Sequence, residues 1–492
     1  MCKILVVDDC PDFRKTLAGL LTDAGYAVQT AKNEGEALAA FMEDAFDFAV
    51  IDVRLHGDDE EDESGLSLAM AVRRLDEKVR IILITGYRIK SQQVVRAARY
   101  YGATDFIEKG QDVGKLTLET IEKARKESKR PEFGRTGDET KLSLSLTAGQ
   151  PLFLRAYGRH VRSTRTWTVL RVDTERYARR TELARKDVAD MRFQIEEIGN
   201  KLWNEIFIEH QEAAEVYFEA RGKSKPLSLL FETPREFLRL PLEFMRSQTP
   251  SEYLVLQHPF ARFIHNAIPR HEVLSPSRLA KTKKLRVLLI ASNTEPPIPG
   301  ADVEVQEIHK FLNDQKAISV EVMPLPTEQA TYDRVQNELK KSKYDIIHYA
   351  GHGFFDAFSP EESFLCFWNG ENRGEPIKRM IATELKLLLD QSQARLVYLS
   401  SCYGTATDGK AALLDDDFLG LADAVVQAGV PSVLGFRWPV SDDRAHTLAL
   451  AFYQSLLEQG SPEVALWHAR RELAAVDRND PTWLSPILIH QE

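Results

Sequence analysis

Hydrophobic positions in the first 125 or so residues alternate between two kinds of run. Ile4–Val7, Phe48–Ile51 and Ile81–Ile84 are unbroken apolar stretches, as expected of strands buried on both faces of a parallel sheet. Between them Phe13, Leu17, Leu20 and Leu21, then Ala37, Leu38 and Phe41, recur at helical spacing. The alternation predicts a doubly wound α/β domain, in which ligands gather at the carboxyl ends of the strands. The pattern fades at Glu122–Arg130, a charged run followed by Pro131, Gly134 and Gly137, which reads as a helix end and a linker.

From about 140 the pattern is mixed. Leu142–Leu146 alternates like a half-buried strand, Trp167–Val172 is a second strand candidate, and 187–220 is helical in pattern. Beyond 284 the α/β alternation resumes, with strands expected at Leu285–Ile290, Ser319–Met323, Ile346–Tyr349, Leu396–Leu399 and Val433–Phe436. The expected organisation is therefore an α/β domain over 1–122, a charged linker over 123–140, a mixed α+β region over 141–283 and a second α/β domain over 284–492.

Composition narrows the function classes. The 492 residues carry 64 Lys and Arg against 74 Asp and Glu, a net charge of −10, which argues against a nucleic-acid partner. No apolar run reaches the length of a membrane span, and acids follow the N-terminal strand at once, so a cytoplasmic location without membrane contact is expected. The four cysteines, Cys2, Cys10, Cys366 and Cys402, form no C-x-x-C pair, so neither a zinc site nor a disulfide framework is supported.

Chemistry-bearing residues collect at strand ends. Asp8 and Asp9 end the first N-terminal strand, Asp52 the second and Thr85 the third, and Phe106-Ile-Glu108 leads to Lys109. Three carboxylates converging in one pocket require a cation, and oxygen ligands suit Mg²⁺. Val-Val-Asp-Asp9, Val50-Ile-Asp-Val-Arg-Leu55, Ile84-Thr-Gly86 and Asp105-Phe-Ile-Glu-Lys109 together resemble the receiver domain of two-component response regulators, a flavodoxin-like fold. The resemblance implies that Asp52 is the phosphoacceptor, with Asp8, Asp9, Asp52 and the backbone carbonyl of Arg54 around Mg²⁺. It also implies phosphate sensing by Thr85 and Lys109, a switch aromatic at Phe106, and a sensor histidine kinase or phosphotransfer protein as donor. The chain departs from the family at Gly110, where proline is usual, and in six consecutive acids, Asp58–Glu63, which add negative potential beside the site.

In the last third, His352 stands between two glycines after one apolar strand, and Cys402 follows another. An imidazole and a thiol brought to one sheet edge suit nucleophilic attack on a peptide carbonyl, with backbone N–H groups of Gly353 and Cys402 as oxyanion donors. Cys366, inside Phe364-Leu-Cys-Phe-Trp368, reads as a buried apolar residue. Tyr349-Ala-Gly-His-Gly353 and Leu399-Ser-Ser-Cys402, with Leu240-Pro-Leu-Glu-Phe244, Tyr253–His258 and Arg437-Trp-Pro-Val-Ser-Asp442, resemble CHAT domains, the caspase-like proteases related to separase. That resemblance implies a caspase-like α/β domain, His352 as general base, Cys402 as nucleophile, no cofactor for the protease and a protein substrate. Asp415, Asp416 and Asp417 could line a pocket for a basic side chain. The combined expectation is a phosphorylation-responsive cysteine endopeptidase, monomeric or homo-oligomeric. The alternative is a signalling scaffold with a non-proteolytic CHAT fold that binds partners according to phosphorylation.

Overall fold

The computed structural model describes residues 2–44, 46–56, 62, 64–75, 79–85, 103–110, 112–126, 141–146, 150–156, 159–167, 188–223, 226–233, 240–248, 251–264, 273–276, 279, 282, 284–295, 297–315, 318–341, 343–354, 362–369, 377–390, 392–403, 417–437 and 440–491, some of them by backbone alone. The chain divides into two units, Met1–Gly137 and Asp138–Glu492.

In the first unit β1 (Lys3–Val7), β2 (Ala27–Ala31), β3 (Phe48–Asp52), β4 (Arg80–Thr85) and β5 (Ala103–Glu108) form one sheet in the order β2-β1-β3-β4-β5. Every pairing is parallel. This is the flavodoxin-like doubly wound order. Helices α1 (Pro11–Asp23), α2 (Glu34–Glu43), α3 (Ser64–Leu75) and α4 (Val113–Lys126) accompany it. Two apolar cores form on opposite faces. Leu5, Val7, Ala49, Ile51, Ile81 and Leu83 point to one, and Ile4, Val6, Phe48, Val50, Ile82 and Ile84 to the other, which is why these strands read as unbroken apolar runs. The sheet edge at β2 is more polar, with only Ala31 fully buried. The expected linker is helical as far as Lys126, and 127–140 lie outside the described residues.

The second unit is built on a sheet of thirteen strands. Its strands are β6 (Lys141–Ser145), β7 (Gln150–Ala156), β8 (Arg159–Trp167), β9 (Ser228–Glu232), β12 (Phe260–Ile264), β13 (Leu285–Ser292), β14 (Val320–Leu325), β15 (Ile346–Phe354), β16 (Phe364–Phe367), β17 (Lys378–Ile381), β18 (Leu396–Tyr403), β19 (Ser432–Phe436) and β20 (Pro486–Gln491); β10 (Arg246–Gln248) and β11 (Ser251–Tyr253) form a separate hairpin. The main path runs β14-β13-β15-β18-β19-β20-β12-β9-β6-β7-β8, and β16 and β17 extend antiparallel from the end of β15. The 14-13-15-18-19 stretch is parallel. All five strands expected beyond 284 are present.

Helices cover both faces. α7 (Pro299–Asn313) and α11 (Asp442–Gln459) share a core with Val287, Leu289, Ile346 and Tyr398. On the other face α8 (Tyr332–Lys341), α9 (Ala382–Asp390) and α10 (Asp417–Gln427) pack on Leu288, Ile290, Ile347 and Val397. The helical stretch expected over 187–220 divides into α5 (Val188–Trp203), a π-helical turn at Asn204–Ile208 and α6 (Gln211–Lys223). The chain folds back there because Trp203 and Phe207 pack on Tyr217, with ring centroids 5.5 and 5.1 Å apart. The last helix, α12 (Pro462–Val476), precedes β20.

Candidate functional sites

In the first unit the acidic strand ends converge as expected. One ligand oxygen from each of Asp8, Asp9 and Asp52 lies within 4.8 Å of the others. Lys109, just past β5, reaches into this group, its Nζ 2.8 Å from Asp8 Oδ2 and 2.7 Å from Asp52 Oδ2. The ammonium also lies 4.3 Å from the centre of the Phe13 ring, a cation–π contact the sequence did not announce.

Burial pushes the Asp52 carboxyl up to about 6; Lys109 opposes this, and the charges of Asp8 and Asp9 add to it. Burial lowers the Lys109 ammonium, but its bonds to Asp52 and Asp8 outweigh that and leave it raised. One ammonium thus leaves three carboxylates short of positive charge, so the donor set fits a hard divalent cation with oxygen ligands.

Local packing fixes the pocket. The backbone N–H of Cys10 donates to Asp8 Oδ1 at 2.9 Å, and Arg14 donates to the carbonyls of Asp8 and Asp9. Gly65 is required because a Cβ there would fall 1.8 Å from the carbonyl oxygen of Asp52. Of the six-acid run, Asp62 is described and is put to structural use. Its carboxylate accepts from the backbone N–H groups of Leu55, His56 and Ser64 and from the Ser64 hydroxyl. Burial would raise its pKa, yet these hydrogen bonds hold it down at about 2. Asp58–Glu61 and Glu63 lie outside the described residues. Thr85 ends β4 opposite Glu108 of β5, and Phe106 pairs with Leu83; the side chains of Thr85 and Phe106 lie outside the described residues.

In the second unit β15 and β18 are parallel neighbours, and their register pairs His352 with Cys402. Residues in register on adjacent strands share a face of the sheet about 4.8 Å apart. The Cys402 side chain lies outside the described residues; His352 is 6% exposed. Gly353 lies between Tyr403 of β18 and Leu365 of β16. Asp415 and Asp416 lie outside the described residues, and Asp417 opens α10 with its side chain likewise outside them.

Tyr349, within the His352 motif, and Ser292, which the sequence reading did not single out, hold the backbone around His352 and Cys366. The Tyr349 hydroxyl lies 2.7 Å from the carbonyl oxygen of His352 and 2.8 Å from that of Cys366, to which Ser292 Oγ also donates at 2.6 Å. A Cβ at Gly351 would lie 2.7 Å from both Tyr349 Oη and the Ser292 carbonyl oxygen, so only glycine lets β13, β15 and this hydroxyl approach so closely. One layer deeper on the His352 face, His348 Nε2 lies 3.0 Å from Glu304 Oε1, while Ser400 Oγ donates to Glu304 Oε2. Cys366 is 8% exposed, and burial raises its thiol pKa to about 11, which agrees with the inert apolar role expected of it.

Among the described residues no helix is long and apolar enough to cross a membrane. The response regulator receiver domain profile matches residues 4–120 and the CHAT domain profile matches 196–490. The photosynthetic apparatus regulatory protein RegA of Cereibacter sphaeroides is 32% identical over 140 residues, covering 28% of this chain and 71% of RegA. The nitrogen assimilation regulatory protein NtrX of Azorhizobium caulinodans is 33% identical over 117 residues, 24% of this chain and 25% of NtrX. Among solved structures, the response regulator TrrA of Thermotoga maritima in complex with Mg(2+)-BeF is 30% identical, covers 25% of this chain and 98% of its own, and superposes with a TM-score of 0.22. The chain therefore belongs to the CHAT domain family, and residues 4–120 are a response regulator receiver domain.

Proposed function

We propose that this protein is a cysteine endopeptidase controlled by phosphorylation of its receiver domain. The observation that carries the reading is the register of β15 and β18, which makes His352 and Cys402 cross-strand neighbours at the ends of two parallel strands. In the proposed reaction His352 takes the proton of the Cys402 thiol, and the thiolate adds to the substrate's carbonyl carbon. Backbone N–H groups of Gly353 and Cys402 receive the oxyanion. The tetrahedral species collapses with loss of the amine, which His352 protonates, and water then hydrolyses the thioester.

In the receiver domain the proposed phosphoacceptor is Asp52, supplied by a histidine kinase or phosphotransfer protein. Asp8, Asp9, Asp52 and the Arg54 carbonyl would hold Mg²⁺, which when bound offsets charge on the phosphoryl oxygens. Lys109, already 2.7 Å from Asp52, would exchange its carboxylate partner for the phosphoryl group, and Thr85 and Phe106 would follow. The segment 123–140 is the proposed transmission element. The protein would act in the cytoplasm on a protein substrate, with Asp415, Asp416 and Asp417 as a candidate pocket for a basic side chain.

The test compares wild-type, Cys402→Ala and Asp52→Ala protein, each with and without a small phosphodonor and Mg²⁺, against a peptide library. Cleavage that disappears in Cys402→Ala, and that responds to the donor in wild type but not in Asp52→Ala, is expected. Equal turnover by wild type and Cys402→Ala would remove the dyad. Equal response to the donor in wild type and Asp52→Ala would remove phosphoryl control.

A further inference from the structure

The face of the sheet that bears His352 does not stop at the candidate dyad. On the side of β15 away from β18, the short strands β16 and β17 continue the sheet, with Phe354 in register with Phe364 and Cys366 with Arg379. Side chains alternate along each strand, so Phe354 shares the face of His352, two residues and about 7 Å further on. Leu365, Phe367 and Met380 point the other way, into the core under α8 and α9. Phe364 and Arg379 therefore share the His352 face.

That extension is open. Phe354 is 42% exposed, an unusual position for a phenylalanine, and Arg379 is exposed. The three side chains are nonetheless ordered against one another. The rings of Phe354 and Phe364 stack at 5.1 Å with planes 22° apart, and the Arg379 guanidinium lies 4.5 Å from the Phe364 centroid. A guanidinium laid on an aromatic face keeps its N–H edges free for a planar acceptor. The neighbouring cation, Lys378, is committed to Asp333 at 3.1 Å. Arg379 has no carboxylate partner among the described residues.

We infer that Phe354, Phe364 and Arg379 form a recognition ledge beside His352 that takes an acidic side chain of a substrate polypeptide, with an apolar neighbour lying on Phe354. The inference rests on the proteolytic reading and deepens it by naming a substrate class. The chemistry is that of a bidentate charge-assisted pair, a carboxylate against the free edge of a stacked arginine. Three strand spacings separate β18, which carries Cys402, from β17, about 14 Å, which an extended peptide crosses in about four residues. The recognised acid therefore sits about three to five residues from the scissile bond. Continuity with His352 favours a substrate over a partner that binds elsewhere.

The test is a binding measurement that needs no turnover. Full-length Cys402→Ala protein is titrated into fluorescein-labelled pools of random ten-residue peptides enriched in Glu, Gln or Lys, and anisotropy is read at low and high salt. The Glu pool is expected to bind about fivefold tighter than the Gln pool, with the gap narrowing in salt. Arg379→Ala should remove the gap, Arg379→Glu should shift preference toward Lys, and Phe354→Ala should weaken all pools. These side chains are exposed, so the variants retain the fold, checked by circular dichroism. A Glu preference unchanged in Arg379→Ala, or binding of no pool, overturns the ledge. Wild-type protein is then incubated with the Glu pool. Arg379-dependent binding without Cys402-dependent cleavage would sustain the ledge while rejecting the protease.

Discussion

His258 illustrates how a single buried side chain sets a pH response. It is 5% exposed, and its Nε2 lies 3.0 Å from the Tyr217 hydroxyl. Burial, with help from the Arg221 charge, pushes its pKa from the ordinary 6.5 down to about 4. Above 6.5 the ring is neutral whether the chain is folded or not, so it contributes no pH dependence. Between 6.5 and 4 the unfolded chain takes up a proton that the folded chain refuses, so stability falls on acidification across that window, by at most about 3 kcal/mol. Urea unfolding at pH 7 and pH 4.5 should therefore show a larger loss for wild type than for His258→Gln; parallel losses would refute the assignment. In the sequence His258 is visible only as the last residue of Tyr253–His258, because its environment comes from Tyr217, far away along the chain. Asp62 teaches the same lesson. Six acids in a row look alike, and only the folded loop singles out the one whose carboxylate gathers the N–H groups of Leu55, His56 and Ser64.

At the scale of elements, β12 runs through the sheet between β9 and β20, both parallel to it, and carries Arg262 fully buried. The guanidinium donates to both oxygens of Glu243, in the 3₁₀ turn Leu242–Phe244, and Arg437 beyond β19 reaches the same carboxylate at 3.3 Å. Burial would raise the Glu243 pKa, but the arginines hold it at about 2. Removing the carboxylate strands buried cations, so Glu243→Gln should cost about 3–5 kcal/mol, whereas Glu243→Leu with Arg262→Met should cost less than the sum of the single changes. All six tryptophans lie beyond residue 166, so their fluorescence in a denaturant titration reads this unit selectively; strict additivity would argue against a coupled cluster. These strands also mark where sequence reading ends. The parallel strands β13, β15, β18 and β19 were legible because both faces are buried and their apolar runs are unbroken. Strand β2 was not, because an edge strand keeps polar residues, and neither were β9 and β12. Of the two, β12 is five residues long and pairs with β20, more than 200 residues later. At the candidate site the chemistry-bearing residues and their strands were legible, while Tyr349 and Gly351 were visible only as members of the His352 motif and Ser292, on another strand, not at all, because their part in holding the backbone comes from the fold.

For the molecule as a whole, the proposed control obeys thermodynamic reciprocity. If occupancy of the acidic pocket changes the affinity of the His352–Cys402 site for a ligand, that ligand must change the affinity of the pocket by the same factor. A hundredfold effect corresponds to about 2.7 kcal/mol of coupling, within the usual range for linked sites. Beryllofluoride with Mg²⁺ can stand in for the phosphoryl group, and a reversible peptide aldehyde for the bound substrate, so both affinities are measurable on the full chain without turnover. The expected outcome is an aldehyde affinity that shifts with beryllofluoride, and a beryllofluoride affinity that shifts equally with the aldehyde. Both shifts should vanish in Asp52→Ala. Direct binding titrations in each order check this. A shift in one order without the other would mean that the titrations had not reached equilibrium, since linkage is reciprocal wherever the second ligand binds. Two independent affinities would leave the receiver domain and the CHAT domain sharing a chain without sharing a switch. The sign of the shift decides whether phosphorylation would open or close the proposed protease, because the ligand-competent state is the one that beryllofluoride must favour for the coupling to be positive.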